Sequence, residues 1–472
     1  MRIFLASSVG VTCAAVLAFP LALPAPAQAG PPAVTSEPAV PGSTQSLPLA
    51  PLSGGRSLGS AAPEQGLTRR DVRPFSLVGV VWDDPDSELY GRVQVRTRTV
   101  ANGDWSGWQD VETHNHEHGA DPDTAEGASG RVRGSTAPLW VGNSDGVEVR
   151  VQAEEDERAT APGDSPLPRG LHLELVDPGA DAPPAGAPPA GAPPAGAPPA
   201  GAPVGDPRLS ALEGAGVDDP HVGQLSPEAA VTSAVNADLA PLGALEIPAL
   251  SQEETEREFL AARPGERRAK PYIGARPRIV TRRGWGANEN LRERGFVYTK
   301  KVKAAFVHHT ASGNNYSCSQ APSVIRGIYR YHVVSSGWRD IGYNFLVDKC
   351  GNIYEGRAGG VAKAVRGAHT RGFNTNSMGI AVLGSFGNKE PSSAAVQAIA
   401  RLTAWKLGLY GANPRGKTYL TSGGGNLYQK GKSVRLNVIS GHRDGFATEC
   451  PGKLLYGKLG SAREEAARYQ GR

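Results

Sequence analysis

Two segments hold the residues best suited to chemistry: Phe306-Val307-His308-His309-Thr310-Ala311 and, far downstream, Gly441-His442-Arg443-Asp444-Gly445-Phe446-Ala447-Thr448-Glu449-Cys450-Pro451-Gly452. Two imidazoles and a thiolate from separate elements give a zinc ion three protein ligands and leave its fourth position open to water, which is the arrangement of a catalytic site. A structural zinc site would take a fourth ligand from the protein. His308 and His309 are neighbours on a stretch that reads as a buried strand, so they point to opposite faces and only one of them joins a given ion. The other is then structural or supports a ligand from behind. The chain has no HExxH segment, so a metalloprotease plan with a helical glutamate base has no support.

The cysteine count fits this reading. Cys13 lies in an apolar leader, which leaves Cys318, Cys350 and Cys450, an odd number for an oxidising compartment. If Cys318 pairs with Cys350, Cys450 is left as a metal ligand or as a buried thiol. A second histidine group, His114, His116 and His118, alternates along the chain and would project from one face of an extended segment. Its neighbours Glu117, Gly119, Asp121 and Asp123 instead give it the composition of a solvated loop, which is the expectation here.

Elements must carry these groups to one place. Residues 303–309 read as a strand ending at the two histidines. A helix is expected from a Ser319 cap, with Pro322 in its first turn and Val324, Ile325, Ile328 and Tyr331 at helical spacing. Residues 341–347 and 353–356 read as a hairpin, 377–386 as a further buried strand, 392–408 as a Ser-capped helix, and 435–441 as a strand delivering His442. Alternating strands and helices with one local hairpin predict an α/β domain over 271–472, with a mixed central sheet flanked by helices.

Upstream, the chain changes character several times. Residues 1–29 read as a secretory signal peptide cut after Ala29, because Pro20, Pro24 and Pro26 break the apolar run before it could span a bilayer. No later segment is long and apolar enough to span, so a secreted, extracellular or wall-associated protein is expected. Residues 30–68 are rich in Pro, Ala, Ser and Gly and read as a disordered leader. Residues 69–178 hold short β-type runs split by Asp, Asn and Gly clusters, as in an antiparallel β-sandwich-like domain. Trp105 and Trp108 there could stack on sugar or fill core volume. The repeat Pro183–Pro203 cannot build a core and reads as a semi-extended spacer within a Pro/Ala/Gly-rich linker over 179–270.

Charge divides the chain in the same way. Residues 271–472 carry 31 Lys+Arg against 10 Asp+Glu, a net +21, whereas residues 1–270 carry 19 against 36, a net −17. A cationic half is drawn to polyanions. With no nucleic-acid motif and an export signal, nucleic acid is excluded as the expected partner and anionic cell wall polymers fit better.

Residues 278–460 resemble the peptidoglycan recognition proteins, also called type 2 N-acetylmuramoyl-L-alanine amidases. The resemblance rests on Arg-Arg-Gly-Trp-Gly-Ala at 282–287, Val-His-His-Thr-Ala at 307–311, Tyr331-His332, and the long segments 337–357, 367–386 and 441–452, in the family's order. The β-rich region and spacer resemble the N-terminal extensions of secreted actinobacterial members. The resemblance implies Zn2+ on His308, His442 and Cys450, with His309 in a supporting place. It implies catalytic assistance by Tyr343. Thr448 stands where some phage members have a catalytic lysine and is expected to orient water or substrate. His369 and Asn374 are the expected contacts to the muramyl peptide, whereas His332 is as readily a satisfied core histidine. The stretch 358–365, Ala-Gly-Gly-Val-Ala-Lys-Ala-Val, lacks the bulky aromatics with which animal members read the stem peptide, so their rules for diaminopimelate and lysine stems do not transfer. The expected activity is hydrolysis of the amide bond between the muramic acid lactyl group and L-alanine of peptidoglycan. The alternative is a module that binds peptidoglycan without cutting it, since the family contains both.

Overall fold

The computed structural model describes residues 42–52, 64–113, 115–154, 167–180, 225–263 and 270–472. The expected signal peptide and the Pro183–Pro203 repeat lie outside the described residues.

The N-terminal region is an eight-stranded antiparallel sheet. Its spine is the 19-residue strand Glu64–Trp82 paired with the 15-residue strand Leu139–Ala153. Register shifts between Leu67 and Arg70, Asp71 and Phe75, and Phe75 and Leu77 bend this ribbon. Such bulges let one long strand serve two layers. Val78, Val80, Val93, Val95, Val149, Val151, Leu173 and Leu175 fill its core. The expected leader is partly wrong: Ser43–Pro48 pairs with His172–Asp177 and Ala50–Pro51 with Glu64–Trp82. Prolines are tolerated on such short edge strands, and Leu47 and Leu49 pack on the core.

The C-terminal sheet is mixed and seven-stranded. In spatial order it runs Ile439–Gly441, Ala304–His309, Ser377–Val382, Phe345–Val347, Ile353–Glu355, Ile279–Val280 and Glu246–Ile247. The hairpin is antiparallel, while Ala304–His309 is parallel to both of its neighbours and buried along its whole length. That double burial is why the strand reads as a continuous apolar run. Helix Ser393–Gly408 begins where Ser392 accepts a hydrogen bond from the Ala395 N–H. The other expected helix starts slightly late: Ser319 sits in a 3-10 turn, Cys318–Gln320, ahead of helix Ala321–Arg330.

The C-terminal unit also begins earlier than expected. Helices Pro227–Ala234 and Gln252–Ala261 and the strand Glu246–Ile247 belong to it, with Ala240, Ile247 and Phe259 in its core. The second helix is fixed by a reciprocal cap between Ser251 and Glu254. Residues 225–263 therefore fold, although sparse hydrophobics make them look like connector.

Nor does the β domain sit well away from its neighbour. Along residues 77–82, Val78, Val80 and Trp82 face their own core while Leu77 and Val81 join Val324, Ile325, Ile328 and Tyr331 of the other domain. Gly79 lies between them because a Cβ there would come within 2.4 Å of the Tyr331 hydroxyl oxygen. That hydroxyl donates to the Thr136 carbonyl at 3.1 Å. Period-two alternation thus gives the strand two dry faces, one for each domain.

Candidate metal centre

Parallel pairing brings two imidazoles together. Ala304–His309 pairs with Ile439–Gly441 in the register Val307↔Gly441, so the next residues, His308 and His442, reach the same end of the sheet. Their ring centroids are 4.5 Å apart. Cys450 arrives on a turn closed by its own N–H donating to Thr448 Oγ1 at 3.0 Å, and its Sγ lies 3.8 Å from His308 Nδ1.

A fourth group lies beside these three. His118, from the β domain's segment 112–133, puts Nε2 3.7 Å from Cys450 Sγ and its ring 4.5 Å from that of His442. One ligand atom from each of His118, His308, His442 and Cys450 lies within 4.8 Å of every other, and all four residues are buried. The sequence expectation of a solvated loop therefore fails at His118. Residues 115–119 form a turn rather than an extended run, so His116 diverges to pair with Glu88 at 2.8 Å. His114 lies outside the described residues.

The donor set fits zinc. Bonds of about 2.0–2.3 Å to nitrogen and sulfur space tetrahedral ligands about 3.3–3.8 Å apart, close to the sulfur–nitrogen separations here. Neither ring nitrogen of His442 has a well-formed hydrogen bond, and His118 Nδ1 has none. Buried polar atoms are normally paired, and a cation would satisfy the orphans that face it. Burial holds His118, His308 and His442 far below the usual imidazole range and pushes the Cys450 thiol well up. The centre on its own therefore carries neutral groups, and cation binding would release the thiol proton.

Behind the ligands, His308 Nε2 lies 3.2 Å from His369 Nδ1 and 3.3 Å from Thr370 Oγ1. This leaves Nδ1 of His308 as the atom facing the other ligands. His369, expected at the substrate, is fully buried and lies against His308. Asn374 is also buried, accepting from the His369 and Thr370 N–H groups and donating to the Gly119 carbonyl and to Asp121 Oδ1. Thr448 donates to Glu117 Oε1 at 2.7 Å. The Tyr343 ring is 5.5 Å from His308 and 5.9 Å from His118, and burial raises its phenol well above the ordinary 10.0. It stays protonated and able to donate. His309 is buried with its Nδ1 unpaired, and burial, aided by Arg443, depresses it to about 4. His332 is a core histidine stacked 4.3 Å from Trp338 and accepting from the Gly342 N–H. Cys318 and Cys350 are joined by a disulfide, and Cys450 is free and buried.

Trp105 and Trp108 are neither core nor an open platform. Arg69 lies over the first at 4.8 Å, Arg150 over the second at 4.3 Å, and Arg96 reaches both. The 590 Å³ cavity beside Arg276 and Arg401 touches none of the four clustered residues. His118 was the residue that sequence reasoning missed; its signal was the alternating histidines, but nothing local tied them to a centre in another domain.

The family models divide the chain in the same way. Residues 298–453 match the N-acetylmuramoyl-L-alanine amidase family, and residues 29–169 match the Rv3811 N-terminal galactose-binding domain-like family. Peptidoglycan-recognition protein SC2 of Drosophila simulans is 30% identical over 183 residues, 38% of this chain and 84% of that protein. Human peptidoglycan recognition protein 3 is 35% identical over 180 residues, 38% of this chain and 45% of that protein. Among solved structures, Drosophila PGRP-LB is 26% identical, covering 39% of this chain and 92% of its own, with a TM-score of 0.31. No helix among the described residues is long and apolar enough to cross a membrane.

Proposed function

The chain belongs to the peptidoglycan recognition protein and type 2 amidase family, and from that premise we propose that it is a secreted zinc-dependent N-acetylmuramoyl-L-alanine amidase. The observation carrying this is the convergence of His308, His442 and Cys450 at the ends of two parallel strands and one turn, with neither His442 nitrogen making a well-formed hydrogen bond.

His308, His442 and Cys450 would hold the metal. When bound, zinc would polarise an amide carbonyl and lower the pKa of water to about 7. The remaining work belongs to the chain. His369 and Thr370 engage His308 Nε2, which fixes the ring's tautomer and aim and makes His369 a positioning residue. Tyr343, kept protonated by burial, donates to the oxyanion that develops as the amide carbonyl is attacked. Thr448, two residues before a ligand, orients the substrate amide, and Asn374 holds the muramyl peptide once its present partners move away. The net positive C-terminal half favours approach to an anionic wall.

The test is to incubate the full chain, and a His118→Ala variant, with purified muropeptides in the presence of zinc and with a chelator. New termini are read by mass. Free lactyl carboxylate on muramic acid with a new L-alanine amine, lost with chelator, is the expected result; no release from either protein refutes the amidase. A second reading is favoured by His118 itself. Four protein ligands describe a structural zinc site, which would make the chain a binding module, and muropeptide binding without release would select it.

A further inference from the structure

We propose that segment 115–127 of the β domain is a built-in pseudo-substrate, in which His118 is the fourth metal ligand and the flanking acidic residues occupy the cleft of a muramyl peptide. The proposal rests on the amidase reading for the identity of that cleft.

The geometry carries it at three points. One ring nitrogen of His118 stands within 4.8 Å of a donor atom on each of the other three residues, where an amide carbonyl or water would have to stand. The groups assigned to substrate are already engaged by the same segment: Thr448 by Glu117 Oε1, and Asn374 Nδ2 by the Gly119 carbonyl and by Asp121 Oδ1. Carboxylates and a peptide carbonyl are the acceptors that an anionic peptide would offer in their place.

The segment is also anchored, not laid on the surface. Asp121 Oδ1 accepts from the Gly372 N–H, the Glu117 carbonyl accepts from the Arg371 N–H, and Glu126 takes both terminal nitrogens of Arg357 at 2.8 Å. Glu117, His118, Asp121 and Glu126 are each at most 8% exposed. A solvated acidic loop that drifted onto a basic neighbour would not bury four ionisable side chains and hydrogen-bond three of them, Glu117, Asp121 and Glu126, to the other domain. In this arrangement the centre is closed, and hydrolysis requires the segment to withdraw.

The test counts ligands before it measures turnover. Zinc X-ray absorption of the metal-loaded full chain is expected to show three imidazoles and one sulfur, and His118→Ala to show one imidazole fewer. With cobalt in place of zinc, thiocyanate should shift the visible spectrum of His118→Ala and leave the wild type unchanged. Muropeptide release should rise by about tenfold or more in the variant. Glu126→Gln keeps His118 and loosens its anchor, so it should also admit thiocyanate and speed amide exchange across 115–127. Two imidazoles in the wild type, or equal thiocyanate shifts in wild type and variants, would overturn the proposal. Three imidazoles and a thiocyanate response confined to the variants would support the closed centre even if no protein released product, in which case the amidase reading alone would fall.

Discussion

Substituting Glu126 by Gln tests how firmly the two domains are locked around the metal centre. The carboxylate takes two charge-assisted hydrogen bonds from Arg357, both 2.8 Å, and the side chains are each 5% exposed. Glutamine keeps the shape, removes the charge, and turns an amide N–H2 towards the guanidinium. Breaking a buried pair from one side costs about 3–5 kcal/mol, because the remaining charge stays buried without its partner. Arg357 retains hydrogen bonds to the Ile341 carbonyl at 2.9 Å and the Asp340 carbonyl at 3.4 Å, which places the expected loss near the lower end, about 3 kcal/mol. If that loss falls on docking of segment 115–127, its closed population drops by on the order of 100-fold relative to open. Urea unfolding gives the global change, and hydrogen exchange across 115–127 gives the local one. A stability change below about 0.5 kcal/mol, within the usual range for an inconsequential surface substitution, with unaltered exchange would refute the view that this ion pair holds the domains together.

Three further outcomes are expected. Gly79→Ala should destabilise the chain by about 1–3 kcal/mol through overpacking, since its Cβ meets the Tyr331 hydroxyl at 2.4 Å; a thermal midpoint equal to wild type would show that the interface yields more easily than its packing implies. His369→Ala should weaken metal affinity by about 10–100-fold, measured by competition with a chromophoric chelator, and unchanged affinity would deny His369 its positioning role. Acid should loosen the segment. Burial pushes the Glu126 carboxyl up but Arg357 outweighs it, so the group sits below the ordinary 4.5 and its contribution, full above that value, is lost as pH falls through the lowered one. Asp121, raised by burial, works the other way as it protonates and offsets part of the loss. Amide exchange across 115–127 should therefore accelerate below about pH 4.5 in wild type and show a smaller change in Glu126→Gln; an identical pH response in both would exclude Glu126 as the cause.

Local sequence determined a good deal. The continuous apolar run ending at His308 reads as a strand covered on both sides, and the Ser392 cap followed by an apolar pattern reads as the start of a helix; both form there. These are short-range effects of burial, alternation and capping, so the residues state them directly. The adjacent histidines also read as splitting to opposite faces of the strand, and only His308 lies in the cluster with His442 and Cys450.

Only the tertiary structure decided what meets what. The strand Glu64–Trp82 reads as hydrophobic, but nothing in its spacing says that Leu77 and Val81 bury against a helix of another domain while Val78 and Val80 stay at home. In the same way, an acidic turn with alternating histidines has the composition of a solvated loop until it is docked against Cys450, 332 positions further along the chain. Composition reports the average environment of a segment, whereas the partners that make burying His118, Asp121 and Glu126 tolerable are Arg357, Asn374 and the cluster of His308, His442 and Cys450, all supplied by the other domain. The chain spells out each half of the centre, and the docking of two folded surfaces decides whether it stands open or closed.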